Sequence, residues 1–179
     1  MKRLLLVLMA IGTASLTACA TSSGNNTNTA TSLHVEKKVM IQAPADKVWS
    51  MISNFGDLGA WHPAVANTEI VEGINNEVGA VRLLTLQDGG QITEALTAYD
   101  SAANTYSYTI TEGVLPVSGY ASTIQVLPAG TGSEVVWAGN FKRKDRTATP
   151  VKGQDDETAT TTISAVYRVG LDNLKKIME

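Results

Sequence analysis

Between residues 33 and 144 apolar and polar positions alternate in short runs, and helical spacing appears in only a few places. In "LHVEKKVMIQ" (33–42), Val35, Lys37, Val39 and Ile41 alternate with Glu36, Lys38 and Met40, the period of two that marks a strand. In "PADKVWSMIS" (44–53), Pro44 suits a first helical turn and Val48, Trp49, Met51 and Ile52 form an apolar stripe. Gly56 and Gly59 then bracket a second short helix or turn that ends at Pro63. Six further runs, 65–72, 79–87, 91–99, 105–112, 117–127 and 133–143, are separated by Gly, Asn, Asp or Pro with no room for crossover helices, so they predict an antiparallel meander. After a polar loop (145–158), "ATTTISAVYRVGLDNLKKIME" places Ile163, Val166, Tyr167, Gly170, Leu171, Leu174 and Met178 at helical spacing. Asp155, Asp156 and Glu157 lie near its start and Lys175 and Lys176 near its end, the sense that the helix dipole favours.

A single curved sheet must cover its apolar face, and the last helix is the only long apolar one available. The predicted class is therefore α+β: a seven-stranded curved antiparallel sheet wrapped around a long C-terminal helix, with two short helices after the first strand. Strand parity shows which side chains share the covered face. Arg82 falls with Leu84 and Leu86, and Glu94 with Ile92, Leu96 and Ala98. A three-residue hairpin loop, Asp88-Gly89-Gly90 with Gly90 left-handed, keeps both sets on one side and puts Glu94 opposite Leu84, diagonal to Arg82. Tyr106, Tyr108 and Ile110 share the same face, as do Tyr120, Ile124 and Val126, then Trp137 and Phe141.

The N-terminus changes the picture of where such a domain works. Lys2 and Arg3 precede an apolar run from Leu4 to Ile11, the layout of a secretory signal whose apolar part is too short to span a bilayer. Leu16-Thr17-Ala18-Cys19 resembles the lipobox of bacterial lipoproteins, which implies removal of residues 1–18 and lipid chains on Cys19. Ala20 rather than Asp follows, which points to the outer membrane, facing the periplasm. Cys19 is the one cysteine, so no intrachain disulfide can form. Residues 20–32, "ATSSGNNTNTATS", carry no charge and no large apolar side chain and read as a flexible tether to a domain at 33–179. Loss of Lys2 and Arg3 leaves 12 of the 14 basic residues against 17 acidic ones, a net charge of −5 that excludes a nucleic-acid partner.

The segments "APADKVWSMISNFGDLGAWHPAV", "GAVRLLTLQDGG", "ITEALTAYD", "YSYTI", "LPVSGYASTIQV" and "VVWAGNF", in that order, resemble the polyketide cyclase/dehydrase and lipid-transport family of the START/Bet v1-like (SRPBCC) superfamily. The resemblance covers nearly all of residues 35–178 and implies a helix-grip fold with an internal cavity. In the plant lachrymatory factor synthases of that family an arginine, a glutamate and a tyrosine in the cavity carry the chemistry. Arg82, Glu94 and Tyr120 stand in the matching segments.

An ion pair and several hydroxyls among aliphatics and aromatics suit a cavity better than a solid core, because buried charges need partners and buried hydroxyls need bonds. Two classes of function follow. One is a binding module for a small hydrophobic or amphipathic ligand, lined by Trp61, His62, Leu84, Leu96, Tyr106, Tyr108, Trp137, Phe141 and Tyr167. The other is a cyclase, dehydratase or isomerase in which Glu94 is the base, Arg82 steadies developing charge and Tyr108 or Tyr120 donates a hydrogen bond. The same pair would also serve as a structural lock between strands. His62 has no ligand-spaced partner, so no metal or other cofactor is expected; Trp61 and Pro63 close one end of the apolar cradle with His62 at its rim, where an imidazole is also able to move protons.

Overall fold

The computed structural model describes residues 30–179. The signal sequence, Cys19 and most of the tether lie outside the described residues. Seven antiparallel strands form one sheet: β1 (Leu33–Ile41), β2 (Val65–Glu72), β3 (Val81–Leu86), β4 (Gln91–Asp100), β5 (Thr105–Gly113), β6 (Val117–Ala129) and β7 (Gly132–Arg143). Their spatial order is β1-β7-β6-β5-β4-β3-β2, a meander in which the first strand closes onto the last. Between β1 and β2 the chain forms α1 (Ala45–Ile52), and the predicted second helix is one 3₁₀ turn, Leu58–Ala60. The long helix α2 (Asp156–Met178) ends the chain and packs on β1 and β7.

The helix α2 begins three residues earlier than its apolar spacing alone indicates. Asp155 caps it, its side chain accepting from the Thr158 N–H at 2.7 Å, which draws Asp156 and Glu157 into the first turn. Ala159, Ile163, Tyr167, Gly170, Leu171 and Leu174 make the buried stripe. Both ends are tied down. Arg143 of β7 grips both carboxylate oxygens of Asp156 at 3.0 Å, and Lys175 donates to the Met40 carbonyl at 2.8 Å.

Bulges bend the sheet around this helix. In β6 the register with β7 shifts between Ser118 and Ala121, where Gly119 takes φ +57°, and the bulge presents Tyr120 to the interior. In β4 the shift between Leu96 and Ala98 reverses parity, so Ala98, expected to point inward, is exposed and Tyr99 is half-buried instead. The β3–β4 hairpin also differs from its expected register. Leu86 and Gly90 close the loop through a 2.8 Å bond, leaving Gln87-Asp88-Gly89 as the three-residue turn, with Gly89 at φ +85°. The Asp88 carboxylate accepts from Gly90 N–H at 2.9 Å, which selects this turn over the one displaced by a residue. Arg82 consequently lies directly opposite Glu94, and Leu84 opposite Ile92.

Candidate functional site: a buried ion pair and a hydroxyl chain beside an apolar cavity

Arg82 and Glu94 are 1 % and 4 % exposed. Arg82 Nε donates to Glu94 Oε2 at 2.7 Å, and Nη2 stands 2.6 Å from the same oxygen as an ion-pair contact without hydrogen-bond alignment. Nη1 donates to the Phe55 carbonyl at 2.7 Å, and the guanidinium lies over the Phe55 ring at 4.1 Å and the Tyr108 ring at 5.2 Å. Phe55 is in turn held by the β2–β3 loop, where the Asn76 side chain accepts from its N–H at 2.8 Å. Arginine therefore turns all its directed donors to the protein and positions the glutamate. No described residue donates to the other glutamate oxygen, Oε1.

Burial pulls Arg82 down, but the Glu94 charge and the neighbouring Tyr106 and Tyr108 more than reverse this, so it stays a guanidinium. Burial pushes the Glu94 carboxyl above its ordinary value, and Arg82 opposes without cancelling that shift. The arginine at 2.6 Å holds the Glu94 carboxyl in an ion pair, while burial keeps its proton affinity above the ordinary value.

A chain of hydroxyls runs across the sheet from this pair. Tyr108 and Tyr120 are 3.4 Å apart, Tyr120 and Tyr167 are 2.6 Å apart, and Tyr167 meets Ser122 at 2.9 Å. Ser122 donates to the Ala138 carbonyl at 2.8 Å, and the Trp137 indole N–H is shared between Tyr108 and Ser122 at 3.1 Å each. Trp137 stacks on Tyr167 at 4.5 Å. A glycine makes this possible: a Cβ at Gly139 would overlap the Tyr167 hydroxyl. Burial raises Tyr106 and Tyr167 to about 12 and Tyr108 and Tyr120 well above 10, so all four are neutral phenols.

His62 is buried (2 %) beneath α2 rather than at a rim. Its Nε2–H donates to the Val166 carbonyl at 3.1 Å and its Nδ1 accepts from Ala64 N–H at 3.3 Å, which fixes one tautomer and occupies both nitrogens. Burial lowers its proton affinity, so it is neutral. Gly170 lets the helix rest on the ring, since a Cβ there would come within 2.5 Å of His62 Cδ2. Asn173 adds a 2.8 Å bond to the Trp61 carbonyl. The Trp61-His62 step is thus a staple for α2.

Beside these groups lies a cavity of about 80 Å³. Leu84, Ile92 and Glu94 come from β3 and β4, Tyr108 and Ile110 from β5, Tyr120 from β6 and Trp137 from β7. Ile163 and Val166 of α2 close it from above, and Leu58, His62, Ala64 and Val65 from the side. Of the residues expected to line it, His62, Leu84, Glu94, Tyr108, Tyr120 and Trp137 do so. Arg82, Trp61, Leu96, Tyr106, Phe141 and Tyr167 pack behind this wall instead. Ile110, Leu115 and Tyr120 separate the cavity from an outer groove of about 310 Å³ under the β5–β6 turn. Of the lining residues Ala64 is exposed and Leu86, Ile110, Leu115 and Val166 are partly exposed, and these mark where the cavity meets the surface. Ser122 was not singled out from sequence although its parity with Tyr120 and Ile124 points it inward. Leu115 gave no such signal, whereas Val166 reads as part of the apolar stripe of α2.

Residues 32–179 match the sequence profile of the family described as polyketide cyclase/dehydrase and lipid transport. MLP-like protein 423 of Arabidopsis thaliana is 29 % identical over 119 residues, 62 % of this chain and 76 % of that protein. The protein XoxI of Bacillus cereus superposes with a TM-score of 0.71 at 28 % identity, over 81 % of this chain and 94 % of its own. Ara h 8.0201 shares the fold with a TM-score of 0.65 at 22 % identity, over 83 % and 98 % of the two chains. A profile match over residues 32–179 on a helix-grip sheet shared with these structural neighbours leads to one assignment: the chain belongs to the polyketide cyclase/dehydrase and lipid-transport family.

Proposed function

We propose that this protein holds a small, largely apolar molecule between its sheet and α2, with the polar end of that molecule at Glu94. The observation that carries the reading is the composition of the cavity: aliphatic and aromatic walls converging on a buried carboxylate oxygen that no described residue satisfies. Small-molecule sites are built in this way, with a few polar groups set in apolar surface. The family's Bet v1-like fold commonly encloses hydrophobic ligands, which agrees.

Size limits the occupant. Ligand pockets commonly reach roughly 300–1,000 Å³, and the inner cavity of about 80 Å³ is smaller. Displacing Leu115 would join it to the groove of about 310 Å³ beyond, bringing the combined space into that range. A molecule of more than a few heavy atoms therefore enters by moving the β5–β6 turn. Native mass spectrometry of protein isolated from its own cells tests this reading: a retained small molecule supports it, and the absence of any retained mass, together with no uptake of apolar compounds, refutes it.

Glu94 also favours a second reading, proton transfer. A base with a free oxygen faces a phenol donor, Tyr108, across the cavity. Glu94 would take a proton from carbon next to a carbonyl while Tyr108 bonds the carbonyl oxygen, and Arg82 would act only through Glu94. Glu94→Gln keeps the shape and removes the base; turnover that survives it rules this reading out.

The N-terminal sequence supports an outer-membrane lipoprotein anchored through Cys19, with the domain facing the periplasm. Cys19→Ser should release the protein from membranes or stall its processing. A variant of mature size still in the outer membrane would refute the anchor.

A further inference from the structure

The polar groups that face the cavity allow the head of the ligand to be specified, and this step rests on the binding reading above. Most polar groups nearby are already committed. Arg82 directs Nε to Glu94 and Nη1 to Phe55, its Nη2 lies buried against Glu94 Oε2 at 2.6 Å without hydrogen-bond alignment, and the residue does not line the cavity. His62 has both ring nitrogens bonded within the protein. The Trp137 N–H is shared between two hydroxyls.

Counting protons along the hydroxyl chain sets its direction. Ser122 gives its proton to the Ala138 carbonyl, so it must accept from Tyr167. Tyr167 then accepts from Tyr120. The Tyr108 proton is left with only the Tyr120 oxygen, at 3.4 Å. That is beyond the roughly 2.5–3.0 Å of a good O–H···O bond, so this proton is free to turn to a better acceptor. The cavity therefore offers one loosely held donor, Tyr108 O–H, and one unpartnered acceptor, Glu94 Oε1.

We propose that the cavity selects a neutral molecule whose polar end is a single hydroxyl or N–H-bearing group that donates to Glu94 and accepts from Tyr108, and that it rejects carboxylates and phosphates. An anion would set its charge against the glutamate oxygen, while the compensating arginine is sequestered behind it. An ammonium group would satisfy Glu94 but has no lone pair for Tyr108 and would lose its hydration among apolar walls.

Phenol, toluene and benzoate share a ring and differ in the head group. Their dissociation constants at neutral pH, measured by calorimetry and by tryptophan fluorescence, decide the matter. Phenol should bind at least about tenfold more tightly than toluene, a difference of about 1.4 kcal/mol. Benzoate should not bind where phenol saturates. In Glu94→Gln the amide oxygen will face the Arg82 donors and the NH₂ group the cavity, so preference should pass from phenol to the acceptor-only ketone acetophenone. Tyr108→Phe should remove most of the phenol advantage over toluene. Toluene or benzoate binding as tightly as phenol overturns the head-group inference and leaves the binding reading intact. Failure of all three to bind overturns both.

Discussion

Replacing Gly139 by alanine probes whether the hydroxyl chain is as tightly built as its geometry indicates. The new Cβ would overlap the Tyr167 hydroxyl and approach the Ala121 carbonyl at 3.3 Å, so Tyr167 must move. Moving it strains a filled interior, typically about 1–3 kcal/mol. It also breaks the bonds to Ser122 and Tyr120, at about 0.5–1.5 kcal/mol net each. Gly139→Ala should therefore lose about 2–6 kcal/mol, a large part of the roughly 5–15 kcal/mol that holds a domain together. Tyr167→Phe alone forfeits the bonds without the clash, about 1–3 kcal/mol. In the double variant the hydroxyl that the methyl would strike is gone, and alanine in a strand is favoured over glycine by about 0.5–1 kcal/mol. The double variant should thus be more stable than Gly139→Ala, and the two changes should fall short of additivity by about 2–6 kcal/mol, the clash plus the bonds that each single change already removes. Equilibrium urea unfolding followed by tryptophan fluorescence, with unchanged m, measures each value. A Gly139→Ala protein as stable as the parent, or strict additivity, would refute the packing described.

Alkali should unfold the protein steeply. Folding raises Tyr106 and Tyr167 to about 12 and Tyr108 and Tyr120 above their usual 10, so the stability they confer is complete below pH 10 and is lost as pH rises from there through about 12. Each contributes a slope of about 1.4 kcal/mol per pH unit once the unfolded state ionises, and tyrosinate absorbance should rise in step with loss of circular dichroism; ionisation of all four in folded protein near pH 10 would contradict this. Arg82→Met or Glu94→Leu leaves a buried charge alone and should cost about 3–5 kcal/mol in thermal or urea unfolding, with much of the loss recovered in the double variant. Leu115→Ala thins the wall between cavity and groove, so it should tighten binding of ring compounds bearing longer alkyl chains, read by calorimetry, while changing stability less than truncation of fully buried Leu84.

Much of this architecture is legible in the sequence because the sheet obeys simple parity. Alternation alone places Arg82, Glu94, Tyr108, Tyr120 and Trp137 on one face, and turn residues separate the strands that carry them. Parity fails where a bulge intervenes, as at Ala98, because the extra residue is invisible in the pattern. The β3–β4 register was ambiguous for another reason: turns ending at Gly89 or Gly90 keep the same faces, and only the Asp88 bond to Gly90 separates them. Gly139 and Gly170 read as small residues in apolar stripes, yet each admits a specific partner, the Tyr167 hydroxyl and the His62 ring. Such close approaches belong to tertiary packing. The size of the cavity is of the same kind, since Trp61, Tyr106, Phe141 and Tyr167 fill the space that a list of inward residues leaves undecided.

The most direct test of the account is a methyl-resolved NMR titration of the folded protein with toluene. A ligand held between the sheet and α2 should shift the methyl groups of Leu84, Ile92, Ile110, Leu115 and Ile163 saturably and with one common dissociation constant, leaving exposed Val71, Val151 and Ile177 unchanged. No saturable shift at the five lining residues, or shifts confined to the exposed ones, would contradict it.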